Sequence, residues 1–544
     1  MTISGVGSRT SYIGSGILDL RSQLDTLTQQ LSSGKVSNTY AGLGTGRSLS
    51  IALRSQISTV ASYADTATNL NTRIGVANLS LQRLVAIGSE VKGAAVSAGG
   101  NFDNTGQTPG QRTASLDFFD SVDMLNAKSG DRYLFSGRAT DTAPVAAADQ
   151  IMNGNGAAIA GLKQVIAERN TADLGVNKNG RVGNAIDTTT PTAVNITEEE
   201  VTPAPPQKAQ PFGMKVSSIS TTIVGAQTTN PVDLPTTPVT VPPTTPATPV
   251  AKSMSIDLNG NVPKAGDQVK LTFTMPDGTT EDIVLTASDT TPLPANSFAI
   301  GTADPTATPP VTASEATAKN LNAAIGSAMK DLANGPMVAA SSIEAGNNFF
   351  DNPPQRIGST PAGSATTLVA GDATNTVIWY NGEKNDVAAN GAARGSAVSQ
   401  IDTSITVQYG ARADEQALRN QLQTVAVFAA VAVDPNQLTD PAYAKNANAQ
   451  IAALNTRVAQ NLADVPGQQT IENIQADFAG AQASIKSSTD RQVQTKAMAQ
   501  TMLDSIEGIN NDEVATKILA LQTALQASYQ TTSTLYQMSL VKFL

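Results

Sequence analysis

The two ends of this 544-residue chain carry the same spacing of apolar side chains. Near each end, apolar residues recur mostly at alternating gaps of four and three residues, and we call these two runs the apolar ladders. Their members are Ile13, Ile17, Leu20, Leu24, Leu27 and Leu31 in the first ladder, and Val514, Ile518, Leu521, Leu525 and Leu535 in the second. This spacing places the ladder on one stripe of a helix that packs along another helix. We therefore predict paired coiled-coil helices, parallel or antiparallel, although an ordinary amphipathic core helix would also explain the first ladder taken alone.

Between the ladders, the apolar pattern predicts a helical section, a β-rich insertion and a second helical section. After a glycine-rich break, a helix of about 45 residues is expected from Leu53. The other predicted helices are 111–128 with Leu116, Phe119, Val122, Met124 and Leu125 on its buried side, 314–332 with Ser314 as N-cap, 411–432, 440–462 and 468–505. The predicted strands are a hairpin at 266–286 and single strands near 337–343, 376–380 and 404–409. The Pro/Thr-rich segment 230–250 is expected to be a linker or an extended edge, because proline fixes φ and lacks an amide donor.

Composition excludes several classes of function. The chain has 45 acidic and 35 basic residues, and its net charge of −10 disfavours a nucleic-acid partner. Cysteine and histidine are absent, which removes cysteine nucleophiles, histidine bases and most zinc or copper sites. The first residues show no secretory signal pattern, and the most apolar run, Val425–Val433, is too short to span a membrane. We therefore expect no membrane insertion.

Two motifs could suggest chemistry, but each has a simpler explanation. The glycine-rich Gly42–Ser48 resembles a phosphate-binding loop, yet it lacks the Lys-Ser/Thr ending of a P-loop and follows no predicted parallel strand. Glu198, Glu199 and Glu200 could bind a cation or act in acid/base chemistry, but adjacent carboxylates point in different directions and are typical of a solvated turn. We therefore predict no enzymatic activity, no catalytic residue, no metal site and no cofactor.

The ladders instead favour assembly. We expect that they cannot bury their apolar stripes within one molecule and that they therefore contact other copies of the chain. Repeated heterologous contacts between identical subunits generate open helical filaments. The predicted partner is the chain itself.

Three segments resemble one protein family. They are LTQQLSSGKVSNTYAG from Leu27, ANLSLQRL from Ala77 and LQASYQTTSTLYQMSLVKFL from Leu525. These segments are similar to bacterial flagellins and to the related hook–filament junction (hook-associated) proteins. The resemblance covers roughly the first 145 and last 130 residues, whereas the middle of the chain resembles no family that we can name.

The resemblance implies a flagellin-like architecture, mainly α with a β-rich insertion, in which coiled terminal helices form a rod beneath a variable outer domain. The implied domains are an N-terminal axial segment at 1–46, the rod at 47–180, the variable outer domain at 181–410, the rod again at 411–505 and a C-terminal axial helix at 506–544. It also implies an extracellular flagellar filament and unfolded export through the flagellar type III apparatus. The implied partners are an export chaperone that holds the last helix, hook-associated proteins and the cap protein.

Two alternatives stay open at this point. Segments 131–145 and 406–422 are more similar to the junction protein than to common flagellins, whereas an insertion of about 230 residues favours a filament subunit. A secreted adhesin with a ligand-binding β-rich middle and a coiled stalk is the alternative from another class. An enzyme is the least favoured interpretation.

Overall fold

A computed structural model describes residues 4–541 except 98, 157, 202–207, 235–249, 359–360 and 385–391. The fold is mixed α/β with about 53% helix, in agreement with a mainly α chain that contains β insertions. The chain divides into a terminal unit, residues 1–72, 398–408 and 479–544, and a central unit, residues 73–397 and 409–478. Most of the Pro/Thr-rich segment 230–250 lies outside the described residues.

The helices follow the predicted apolar spacing, and local caps set several of their ends. Thr108 begins α3 with a reciprocal capping box to Gln111, and Thr312 begins α6 in the same way with Glu315. Thr312 is therefore the N-cap of α6, and the prediction of Ser314 was wrong. The helices are α1 Ser4–Ser33, α2 Arg47–Ser97, α3 Pro109–Leu125, α4 Ala148–Asn153, α5 Leu162–Leu174, α6 Ala313–Asn334, α7 Pro336–Phe349, α8 Gln416–Ala430, α9 Pro441–Asn461, α10 Ile471–Glu507 and α11 Asn511–Val541.

Two four-stranded sheets share one apolar core with α6 in the central unit. The strand orders are β3-β4-β7-β6 and β10-β9-β8-β5, and all neighbours are antiparallel except β10 and β9. The strands are β1 Lys128–Ser129, β2 Arg132–Tyr133, β3 Val182–Ile186, β4 Ala193–Glu198, β5 Lys215–Thr221, β6 Gln227–Asp233, β7 Lys252–Asp257, β8 Gln268–Thr274, β9 Thr280–Ser288, β10 Ser297–Ala299, β11 Gln355–Ile357, β12 Leu368–Ala370, β13 Val398–Gln400 and β14 Thr406–Gln408. The β8–β9 pair confirms the predicted hairpin, and β14 confirms the strand near 404–409.

Three other local predictions were wrong. Residues 337–343 lie in α7, whose side chains are buried nearly all round, so the segment lacks the one-sided pattern that marks an amphipathic helix. Residues 376 and 380 form only isolated bridges rather than a strand. In α3, Leu116 and Phe119 are exposed, whereas Asp117 and Phe118 are buried, because polar side chains occupy part of its inner face.

Candidate assembly surface

The terminal helices α1 and α11 pack against each other in the terminal unit, and they run antiparallel. At one end of the pair, the amide of Ile509 donates to the carbonyl of Gly34 at 3.2 Å, which places the end of α1 beside the start of α11. Further along, Leu27 of α1 lines the same groove as Leu521 of α11. The coil predicted from the two ladders is therefore present within one chain, and its direction, which the sequence left open, is antiparallel.

The ladder residues largely face this pairing. In the first ladder, Ile13, Ile17, Leu20, Leu24 and Leu27 are half-buried and Leu31 is exposed; in the second, Val514 and Leu525 are buried, Ile518 and Leu521 are half-buried and Leu535 is exposed. The expectation that the ladders find no partner within the molecule was therefore wrong, because each ladder packs along the other helix. Their role in self-assembly stays a prediction.

A second set of large apolar residues lies outside the ladders and faces solvent. Tyr12 is 81% exposed, Leu18 69%, Leu519 64% and Tyr529 52%; we call these four the outer apolar set. Tyr12, Leu18 and Leu519 each stand one position from a ladder residue, and Tyr529 stands one position from the half-buried Ser528, which continues the ladder three residues after Leu525. One residue turns about 100° around a helix of 3.6 residues per turn. The set therefore points away from the internal seam. The sequence analysis did not predict these residues because they fall outside the heptad positions. Their apolar character and their offset of one residue from the ladder positions are nevertheless visible in the sequence.

A group of contacts that we call the terminal latch joins the end of α1 to the turn between α10 and α11. The amide of Val36 donates to the carbonyl of Glu507 at 2.7 Å, and Lys35 forms an antiparallel bridge with Gly508. Gly34 adopts a φ of +68°, which favours glycine and ends α1 in the left-handed conformation. The latch thus fixes where the two terminal helices begin to run together.

The side chain of Glu507 connects this latch to the start of α2. Its carboxylate accepts hydrogen bonds from Ser50 Oγ at 2.5 Å, from Arg54 Nε at 2.9 Å and from Arg54 Nη2 at 2.5 Å. The Arg54 and Ser50 hydrogen bonds hold the pKa of Glu507 down at about 2. Next to this pair, the apolar residues Leu53, Ala499 and Leu503 form a small buried cluster.

Replacing Glu507 with glutamine should loosen the terminal latch. A carboxyl whose folded-state pKa lies below its unfolded value stabilises the fold above the unfolded pKa, here near 4.5, and this contribution disappears as the pH falls toward about 2. We expect Glu507→Gln to cost about 1–2 kcal/mol at pH 7 and to cost much less at pH 3. Hydrogen exchange of α1 and α11 at both pH values measures this difference. An equal cost at the two pH values would contradict the assignment.

The glycine-rich segment that resembled a phosphate loop has a packing role. Residues Tyr40–Gly46 form a 3₁₀ turn that leads directly into α2. A Cβ atom on Gly46 would lie 2.9 Å from Ile506 Cγ2, so a larger residue there would force the Ile506 side chain of α10 to move. The structure therefore accounts for Gly46 without an anion.

The acidic run at 198–200 is not simply a solvated turn. Glu198 ends β4 and is buried, where it accepts hydrogen bonds from the amides of Val216 at 3.0 Å and Lys252 at 3.1 Å. Burial raises the pKa of its carboxyl. Glu199 pairs with the buried Arg181 at 3.1 Å. The prediction of a solvated turn was therefore wrong for Glu198, which holds two strands instead.

Comparisons with known proteins returned no match. No family model, no curated protein and no solved structure matches this chain.

Within the described ranges, no helix is long and apolar enough to cross a membrane. Among the same residues, no group of three or more acidic side chains could hold a metal ion.

Proposed function

We propose that this chain is a flagellin-type structural subunit that self-assembles into the extracellular filament of the bacterial flagellum and catalyses no reaction. The proposal rests on one structural observation, the outer apolar set on the antiparallel pair of terminal helices. The similarity of both chain ends to flagellins points to the same function.

The outer apolar set supports assembly because its members keep more than half of their surface exposed within the chain. Burying a large apolar side chain contributes about 1.5–3 kcal/mol, so contacts through Leu18, Leu519 and the two tyrosines supply several kcal/mol per subunit, before the cost of ordering is subtracted. Each helix carries such residues, so a subunit can contact different neighbours through different faces. Heterologous contacts of this kind extend into a helical filament.

The proposed partners follow from the same function. An export chaperone would cover α11 until secretion and so prevent premature assembly, and the type III export apparatus would pass the chain unfolded. Hook-associated proteins and the cap protein would contact the two ends of the growing filament. Electron microscopy of the purified full chain, left to polymerise, tests the central claim, and a chain that remains monomeric at high concentration would overturn it.

Aspartate at Leu24 and Leu27 should abolish filaments by separating α1 from α11 within each subunit. Both residues are half-buried against α11, so two carboxylates there would separate the terminal helices before any neighbour binds. We expect rapid hydrogen exchange in α1 and α11, an unchanged central unit and no sedimenting polymer. Filaments of normal stability from this variant would exclude the paired coil as the assembling element.

The hook–filament junction protein of the same family is the second candidate. Segments 131–145 and 406–422 favour it, because they are more similar to that protein than to common flagellins. Abundance separates the two functions, since a filament subunit is the major band of sheared flagella and a junction protein is a minor one.

A further inference from the structure

A cavity of about 520 Å³ in the central unit combines an apolar wall with four charged side chains. Phe350, Pro353 and Trp379 contribute to the apolar part. The charged side chains are Asp351, Lys384, Asp414 and Arg419. Pockets that bind small molecules have volumes of roughly 300–1,000 Å³ and similarly combine apolar walls with a few placed polar groups. The cavity thus has the size and composition of a site for a small ligand.

Contacts within the chain hold the aromatic wall in place. The rings of Phe350 and Trp379 lie 5.3 Å apart, and Trp379 Nε1 donates a hydrogen bond to the carbonyl of Phe350 at 3.0 Å. The hydroxyl of Tyr380 donates to the carbonyl of Glu383 at 2.8 Å. Because these polar atoms are already bonded, the wall offers a ligand mainly apolar contact.

Two of these four charged residues, Asp414 and Arg419, have buried side-chain atoms without hydrogen bonds. The Asp414 side chain is only 9% exposed, and its Oδ1 has no hydrogen-bond partner among the described residues, although Arg412 Nε forms an ion pair with it at 3.5 Å. Arg419 Nε is likewise buried without a hydrogen bond within the described part of the chain. Burial raises the pKa of the Asp414 carboxyl to about 6, and the nearby charge of Arg412 opposes this rise. Leaving such atoms unsatisfied is costly.

We propose that this cavity binds a free α-amino acid with an apolar side chain. The ligand's ammonium group would donate to Asp414, its carboxylate would accept from Arg419, and its side chain would pack against Phe350 and Trp379. The charged lining is balanced, with Asp351 and Asp414 against Lys384 and Arg419, so a zwitterion that carries both charges matches it better than a simple anion or a simple cation. This inference is independent of filament assembly.

The only tryptophan of the chain, Trp379, reports binding directly. The full-length protein is titrated at neutral pH with L-leucine, L-methionine and L-valine while its fluorescence is followed. We expect a saturable change with at least one of them, and at least a tenfold weaker response to that ligand's N-acetyl and amide derivatives, each of which lacks one charge. A response that does not saturate with any of the three, or equal binding of the derivatives, overturns the proposal.

Matched variants test which residue recognises which end of the ligand. Asp414→Asn should weaken binding of the amino acid at least tenfold and should abolish discrimination against the N-acetyl derivative. Arg419→Gln should do the same for the amide derivative. The exposed Asp123→Asn is the control and should bind like the unaltered protein. Unchanged affinity in both cavity variants would contradict the assignment, and circular dichroism confirms that each variant is folded.

Discussion

Aspartate at both Leu18 and Leu519 should abolish filament formation and leave the antiparallel pair of α1 and α11 intact. Both side chains are largely exposed in the single chain, so a carboxylate at either position keeps its hydration and disturbs no internal contact. In a filament, the same positions would be buried between copies, where an unpaired carboxylate costs several kcal/mol. Sedimentation and electron microscopy measure the loss of polymer, and hydrogen exchange shows whether the terminal helices remain paired.

The matched control adds the same two charges at exposed polar positions outside α1 and α11. Gln150 and Gln227 are both exposed residues of the central unit, so Gln150→Asp with Gln227→Asp changes the net charge equally. This control separates local burial from general repulsion between more acidic subunits. Loss of assembly in both double variants would attribute the effect to net charge, and normal filaments from Leu18→Asp with Leu519→Asp would remove the outer apolar set from the interface.

Local periodicity made most helices and the β8–β9 hairpin predictable, because their buried positions repeat within one element. The ladders were predictable for the same reason, because their spacing identified the apolar stripes along which α1 and α11 meet. Spacing predicted that the two ladders pair, but it gave neither the antiparallel direction nor the extent to which the pairing buries them within one chain, because both depend on where the chain brings its ends. The latch at Glu507 was equally hidden, as its partner Arg54 is more than 400 residues away.

Other features were unpredictable because a polar side chain at the surface and a polar side chain in the core look alike in one sequence. Glu198 lies in a run of three acidic residues, a pattern typical of a solvated turn. In the structure, however, its carboxylate accepts hydrogen bonds from backbone amides of two strands. The cavity beside Trp379 joins residues from three separate segments of the chain. Nothing in the local pattern around Asp414 indicates that Arg419 and an aromatic wall lie beside the same space.

The turn of the β8–β9 hairpin gives the clearest case of a long-range partner. Asp277 and Gly278 were readable as turn residues, but the carboxylate of Asp277 also binds Arg457 of α9, with Oδ2 2.7 Å from Nε. Arg457 further contacts Thr279 Oγ1 at 2.7 Å and Glu281 at 3.2 Å. The side chains of Arg457 and Asp277 are only 5% and 4% exposed. This buried pair therefore fastens the hairpin to a helix within the central unit.

Replacing Asp277 with alanine should destabilise the central unit by about 3–5 kcal/mol, because it leaves a buried guanidinium without its main counter-ion. The free energy of unfolding of a domain is only about 5–15 kcal/mol. The loss should therefore lower the midpoint of urea unfolding clearly when unfolding is followed by the fluorescence of Trp379. Asp282→Ala is the control on the same hairpin, since its pair with Lys270 is exposed and should be worth less than about 1 kcal/mol. Adding Arg457→Met to Asp277→Ala should recover part of the loss, because the unpaired charge is then removed. An Asp277→Ala effect no larger than that of Asp282→Ala would show that the pair does not hold the hairpin in place.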